Sequence, residues 1–425
     1  MARTPLPLSG ILAAVAAAVF VTPAFLPAAE AARRPAQHPV QHPVQHPAQH
    51  KARAETPAPA AEPQSAEVML NAALEDIGKG RFDPALQRID ALLKSYPNFR
   101  LGYLIKGDLL LARARPLSEL GSAPKAPADR LDDLRAEALA RLRAYREPPT
   151  KGMLPRYLLE MPPEQQYAVV VDTVRSRLYL YGNDKGQPHL VADYYISVGK
   201  NGSQKTREKT PIGVYHVTSS LPANKLPDLY GSGAFPINYP NDLDKRMGRE
   251  GHGIWLHGTP SNTFSRPPRA SDGCVVLSNS DLNIVAKHLQ IGLTPVIISE
   301  GVEWVTTESW SAERKKFLDQ FEQWRADWES RDTDRYLANY SRKFAAGGQD
   351  YDAFSRQKRQ VNAGKEWIKL KLANVSAFRN PGREDMMVVT FEQDYRSNNL
   401  SNQMKKRQYW AREGNRWRII YEGAA

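Results

Sequence analysis

One thiol and one nearby imidazole are the residues of this chain best suited to covalent chemistry. Cys274 is the only cysteine among 425 residues, and it stands in Ser271-Asp272-Gly273-Cys274-Val275-Val276-Leu277. His257 lies upstream in His252-Gly253-Ile254-Trp255-Leu256-His257-Gly258-Thr259. A thiolate can attack a carbonyl carbon when an imidazole accepts its proton and backbone N–H groups receive the oxyanion. Gly273 lets the backbone come close with no side chain in the way. Ser271, Asp272 and Gly273 are the candidate oxyanion or substrate contacts. A backbone carbonyl after His257, at Gly258 or Thr259, could hold the imidazole in one tautomer, so no Asp is required. His257 ends the alternating run Gly253 to Leu256, which reads as a strand. His252 is the rival base and is expected at the other end of that strand. Loss of His257 is expected to raise the thiol pKa toward about 8.5. The bland alternative is a small buried hydrophobe, the common fate of a lone cysteine.

The rest of the chain must export and position this pair. Met1-Ala2-Arg3, the apolar run Gly10 to Val21 and the small residues up to Ala31 have the layout of a secretory signal peptide over residues 1–31. The apolar run is short for a bilayer span, so no integral span is expected after cleavage; an uncleaved anchor is the alternative. A periplasmic or cell-wall location follows. Residues 32–64 are rich in Pro, Gln and His and repeat Gln37-His38-Pro39-Val40, which reads as a disordered linker. The net charge is +12 with a pI near 9.5. Basic residues are not interleaved with aromatics in any groove-like run, so nucleic acid is not expected as a partner. An anionic wall polymer or membrane surface suits the charge better. No metal site is expected in the folded part, and no cofactor.

Residues 65–150 read as a helical domain. Asp83-Pro84 fits an N-cap followed by a first-turn proline. Leu86, Ile89, Leu92, Leu93 and Tyr96 recur at helical spacing, and Gly80 to Leu86 resembles one tetratricopeptide unit. A single unit cannot bury its own apolar face, so this domain must pack on another surface, with a homodimer one option. Residues 166–300 carry short strands broken by Gly and Pro, with a mostly antiparallel sheet and one helix after the thiol, Ser280 to His288. Residues 303–425 hold seven of the eight tryptophans, and helices there precede a long meander. That order suggests an α+β cone. This unit contains neither His nor Cys, so it is expected to bind or dimerise rather than react. A chain cut after residue 302 is expected to keep its thiol chemistry.

Thr210-Pro211-Ile212-Gly213-Val214-Tyr215, Leu256-His257-Gly258-Thr259 and Ser271-Asp272-Gly273-Cys274 resemble, in order, the three signature blocks of the L,D-transpeptidase (YkuD-type) catalytic domain. Ser197-Val198-Gly199-Lys200 resembles the strand before the first block. The resemblance implies Cys274 as nucleophile, His257 as base and the Gly258 carbonyl as the group that orients it. The family string commonly has His where Asp272 stands, and often Arg or Asn where Val276 stands, which bears on substrate contacts. The whole layout is a multidomain chain: N-terminal helices, a mostly β YkuD-type domain and an NTF2-like α+β cone. It resembles the cell-shape-determining peptidoglycan L,D-carboxypeptidases of helical bacteria. The implied substrate is a peptidoglycan stem peptide, attacked at its L,D amide to form an acyl-enzyme. An amine acceptor would make this a transpeptidase; water would make it a carboxypeptidase that trims tetrapeptide to tripeptide. A wall-binding scaffold with an inert Cys274 is the third reading.

Overall fold

A computed structural model describes residues 65–116, 119–122, 127–200, 209–382 and 386–425. The expected signal peptide and linker lie outside the described residues.

Four helices come first: Ala66–Gly78, Phe82–Ser95, Arg100–Leu111 and Ala128–Arg146. Their apolar faces close around Leu70, Ile89, Leu92, Phe99, Leu101 and Ile105, all essentially inaccessible. The expected Asp83 cap is not made. The second helix begins at Phe82, and Asp83 sits inside its first turn, where the carboxylate still favours the positive end of the dipole and pairs with Arg113 at 2.5 Å.

Two β layers then enclose a core that includes Val169, Leu180, Ile196, Leu256, Val275 and Ile298. The larger sheet orders its strands as Gln187–Tyr195, Arg177–Asp184, Tyr167–Asp172, Pro295–Ser299 and Gly213–His216. Tyr167–Asp172 and Pro295–Ser299 run parallel, and the other neighbours are antiparallel. These two central strands read as unbroken apolar runs because both of their faces are covered. The second sheet joins Val275–Val276, Trp255–His257, Gly233–Pro236 and Leu221–Pro222, the first pair parallel. A third short parallel pair links Arg269–Ser271 to Val198–Gly199. The helix after the thiol is Asn279–Ala286, capped by Ser278 Oγ on the Asp281 N–H at 3.1 Å.

The C-terminal part wraps a four-strand antiparallel meander around the helix Thr307–Glu329. The meander runs Ile368–Arg379, Met386–Ser397, Leu400–Glu413 and Arg416–Ala424. Trp310, Trp324, Trp328, Trp410 and Trp417 are buried in its core. Trp304 packs against Tyr179 of the catalytic sheet instead, and Trp367 is exposed.

The parts interlock more than their compositions imply. Leu158–Glu160, between the helices and the first catalytic strand, pairs with Ile368–Arg379 as the edge of the C-terminal sheet. Met153–Pro155 pairs with Trp304–Thr306. Leu158, Tyr157 and Phe378 share one cluster with Ala168, Tyr179 and Ile297. A chain ending at residue 302 would strip this cluster of Phe378 and leave the Leu158 edge unpaired, so the expected clean truncation does not follow. Among the described residues no helix is long and apolar enough to cross a membrane.

Candidate active site

The catalytic segment is built on the parallel pairing of Trp255–His257 with Val275–Val276. Its register sets Leu256 beside Val275 and His257 beside Val276. One residue further back brings Cys274 alongside Trp255, which shares a strand face with His257. The thiol and the imidazole are therefore diagonal neighbours on one face. The Leu277 N–H donates to the His257 carbonyl at 2.9 Å and extends the pairing past the ring.

His257 is buried, and its Nδ1 lies 2.7 Å from the Gly258 carbonyl. That carbonyl can only accept, so Nδ1 carries the proton and Nε2 is left as the basic nitrogen. Asn279 fixes the segment around it. Its Nδ2 donates to the Thr259 carbonyl at 2.8 Å, and its Oδ1 accepts from the Ser232 N–H at 2.9 Å. A Cβ at Gly258 would stand 2.1 Å from Asn279 Oδ1 and 3.0 Å from the Ser232 nitrogen, so only glycine fits there. The Tyr230 ring packs edge-on against His257 at 5.1 Å and tilted against Trp255 at 4.8 Å, forming an aromatic wall.

Cys274 is half-buried, and its Sγ lies 3.4 Å from the Gly253 carbonyl. Gly273 before it has φ +114°, a conformation open to glycine and costly to other residues. Ser271 Oγ donates to the Cys274 carbonyl at 2.6 Å and accepts from the Gly273 N–H at 3.2 Å. The Gly273 amide is thus already engaged, which corrects its expected part as a free oxyanion donor. The Asp272 side chain is 81% exposed and pairs with Lys200 at 3.1 Å, and its charge is felt at Cys274 and Arg266.

His252 is placed differently as well. The strand begins at Trp255, and residues 251–254 form an exposed approach to it except for buried Ile254. Because the Gly253 carbonyl touches the thiol, His252 belongs to a segment beside the site, not at its far end.

Two supporting roles escaped the sequence reading. Thr210 Oγ1 accepts from the Gly199 N–H at 2.8 Å and donates to the Gly273 carbonyl at 2.9 Å, tying two distant segments to the cysteine turn. Thr210→Val removes both bonds while keeping the shape, and leaves a buried amide and carbonyl short of a partner. Turnover is expected to fall about tenfold or more, with the fold retained; comparing kcat of the variant with its thermal midpoint checks this. The second is Arg266, whose guanidinium is partly buried and reaches the Leu229 carbonyl at 3.5 Å.

The electrostatics favour a neutral resting pair. Burial pushes the Cys274 thiol up, while the Trp255 backbone N–H and Arg266 pull it down by less. Burial takes His257 down to about 4, against the opposing Gly258 carbonyl and with some help from Arg266. At neutral pH the sulfur is a thiol and the imidazole is uncharged, so the proton moves only as substrate is attacked. The expected loss of thiol acidity in a His257 variant therefore has little to act on. Alkylation of Cys274 by iodoacetamide is expected to climb with pH through and beyond the ordinary thiol range, with no plateau near pH 5 of the kind a preformed ion pair gives. His257→Ala should leave that profile nearly in place while lowering turnover; stopped-time mass spectrometry of the adduct reads both.

The cone holds a further cluster that sequence reasoning missed. Glu422 is largely enclosed and accepts from Lys406 Nζ at 2.6 Å, Gln408 Nε2 at 2.7 Å and the Tyr340 hydroxyl at 3.0 Å. Burial pushes its carboxyl up, but Lys406 and Lys358 outweigh that and hold it well below the usual carboxylate range. Lys358 Nζ lies over the Trp328 and Phe354 rings at 5.4 and 5.2 Å. Two ammonium groups thus face one carboxylate. Alternating strand positions place Lys406 and Gln408 on the inner face with Trp410, a pattern that is readable only once the register is known.

With this geometry in hand, the chain can be set beside known proteins. Residues 166–298 match the L,D-transpeptidase catalytic domain (YkuD), and residues 316–423 match the Cds6 C-terminal NTF2-like domain. The structure of Bdellovibrio bacteriovorus Bd1075 is 30% identical over 64% of this chain and 99% of that one, with a TM-score of 0.58. Pgp2 of Campylobacter jejuni, described as a helical cell shape determining protein, has the same fold at 23% identity, over 67% of this chain and 99% of that one, with a TM-score of 0.52. No curated protein matches the chain. The chain belongs to the L,D-transpeptidase (YkuD) family. Beside that domain, this chain carries N-terminal helices and a C-terminal NTF2-like domain.

Proposed function

We propose that the protein cleaves the L,D amide bond of a peptidoglycan stem peptide through an acyl-enzyme on Cys274. One observation carries this: a thiol on a glycine turn shares a strand-pair face with a buried histidine whose Nδ1 is committed to the Gly258 carbonyl. In this reading Cys274 Sγ attacks the amide carbonyl carbon as its proton passes to His257 Nε2. The Cys274 amide is the local donor to the oxyanion, since the Gly273 amide is engaged. The C–N bond breaks, and His257 returns the proton to the departing amine. A second amine, or water, then attacks the thioester. An amine yields a crosslink and makes the protein a transpeptidase; water yields a trimmed stem and makes it a carboxypeptidase.

The chain is exported to the periplasm or cell wall in this reading, where a surplus of twelve positive charges suits an anionic polymer. The cone serves as a binding module, with the surplus ammonium beside Glu422 available to an anionic group.

Purified protein incubated with disaccharide tetrapeptide, with and without excess stem acceptor, separates the outcomes by mass spectrometry. Dimers joined through the acceptor amine mean transpeptidation. Tripeptide alone means hydrolysis. Unchanged tetrapeptide, with no carbapenem adduct on a folded protein, would overturn the reading in favour of an inert scaffold.

A further inference from the structure

Arg266 lies in the segment that joins the histidine strand to the cysteine turn, and the helical unit holds that segment. The Phe264 ring sits against Tyr96 and Phe99 of the helices, with centroids 5.1 and 4.5 Å away. Its N–H donates to the Asn98 carbonyl at 3.3 Å, and Ser265 Oγ donates to Glu137 at 2.6 Å. The Arg266 carbonyl in turn accepts from the Tyr195 hydroxyl at 2.8 Å. Four successive supports thus pin the backbone around one arginine.

The side chain is directed at the site. Its Nη2 approaches the Leu229 carbonyl, one residue before the tyrosine that packs on His257. Its charge is felt at both Cys274 and His257. Yet among the described residues it makes no ion pair, and its one protein hydrogen bond, at 3.5 Å, is long. The Asp272 carboxylate, whose charge is also felt at Arg266, makes its ion pair with Lys200. A half-buried guanidinium with donors to spare beside a nucleophile is built to receive an anion in the fork geometry of a carboxylate.

We propose that Arg266 binds the free carboxylate of the substrate's terminal residue, the one that leaves, and that the helical unit positions it through Phe264. This makes Arg266 a specificity-determining residue that favours chain ends over internal amides. The inference rests on the reading of Cys274 as the nucleophile.

The test uses two small alkylating agents on the full-length protein. Iodoacetate carries a carboxylate, and iodoacetamide is its neutral counterpart; both form the same thioether bond to Cys274 and release iodide. The ratio of their rates cancels any change in thiol acidity. Arg266→Met is expected to lower the iodoacetate-to-iodoacetamide ratio about tenfold, the scale of one charge-assisted hydrogen bond, while Arg266→Lys keeps part of it. Phe264→Ala is expected to lower the ratio in the same direction while iodoacetamide still reacts. An unchanged ratio in Arg266→Met overturns the carboxylate assignment, and an unchanged ratio in Phe264→Ala overturns the positioning by the helices. The alkylation needs only a reachable thiol. Should Cys274→Ala retain turnover, the catalytic reading fails while the ratio still reports on Arg266. The matching substrate measurement is KM for a tetrapeptide stem against its C-terminal amide: wild type should prefer the acid, and Arg266→Met should lose that preference.

Discussion

Cys274→Ala is expected to abolish acyl transfer, lowering kcat/KM on stem peptides by at least about 10³-fold, because nothing else in the site can form the acyl intermediate. The chain has no second thiol, and Thr210 and Ser271, the hydroxyls nearest the turn, are committed to bonds that shape it. The fold should survive. Cys274 is only half-buried, and its sulfur is held by a long contact to the Gly253 carbonyl and by the Trp255 backbone N–H. The thermal midpoint should therefore move by no more than a surface substitution of about 0.5 kcal/mol would cause. Cys274→Ser keeps the size and a donor but offers a far less acidic nucleophile to an imidazole that is already a weak base at about 4. It should be nearly as inactive as Ala. Retention of turnover within tenfold of wild type in either variant would remove Cys274 from the mechanism.

What could be read in the sequence is what is encoded locally. Cys274, Gly273 and Ser271 are neighbours in the chain, and so are His257 and Gly258; their types announce a turn, a thiol, a base and a nearby carbonyl. The blocks also lie in two strands, and parallel pairing brings them together without further instruction. What escaped depends on distant partners. Thr210 reaches the cysteine turn across 63 residues, and nothing about its place in the first block tells which carbonyl it will find. Arg266 could only be recognised once Phe264 was seen packed against helices far upstream. The Gly273 amide looked free because composition does not show that the Ser271 hydroxyl takes it first. The pairing of Asp272 with Lys200 likewise joins segments 72 residues apart. Domain limits were blurred for the same reason. Leu158–Glu160 is too short to read as a strand, and it acquires that identity only from the edge of a sheet built more than two hundred residues later.

Arg141→Met is expected to be the most destabilising single change outside the catalytic turn, at about 3–5 kcal/mol. Arg141 is only 3% exposed on its helix, where it bonds Glu137 at 2.9 Å and pairs with Glu67. It also lies over the Tyr195 ring at 4.0 Å, so it joins the helical unit to the catalytic sheet. Glu67 continues the network to Arg177 at 3.2 Å. Methionine would fill much of the volume but leave Glu137 buried without its cation, and burial already pushes that carboxyl up even with Arg141 present. Without it the folded-state pKa must rise further above the unfolded value of about 4.3. A raised folded pKa means that the folded state takes up the proton first, so the deficit shrinks as pH falls and grows as pH rises through the new pKa. Urea unfolding of the variant and wild type at pH 5 and pH 8 should show the larger gap at pH 8. Adding Glu137→Gln should recover part of the loss, because a neutral amide no longer needs a buried cation, and the two changes should combine to less than their sum. A gap that did not depend on pH would mean that Arg141 acts through packing on Tyr195 alone, and the network would lose its assigned part in holding the helices to the catalytic domain.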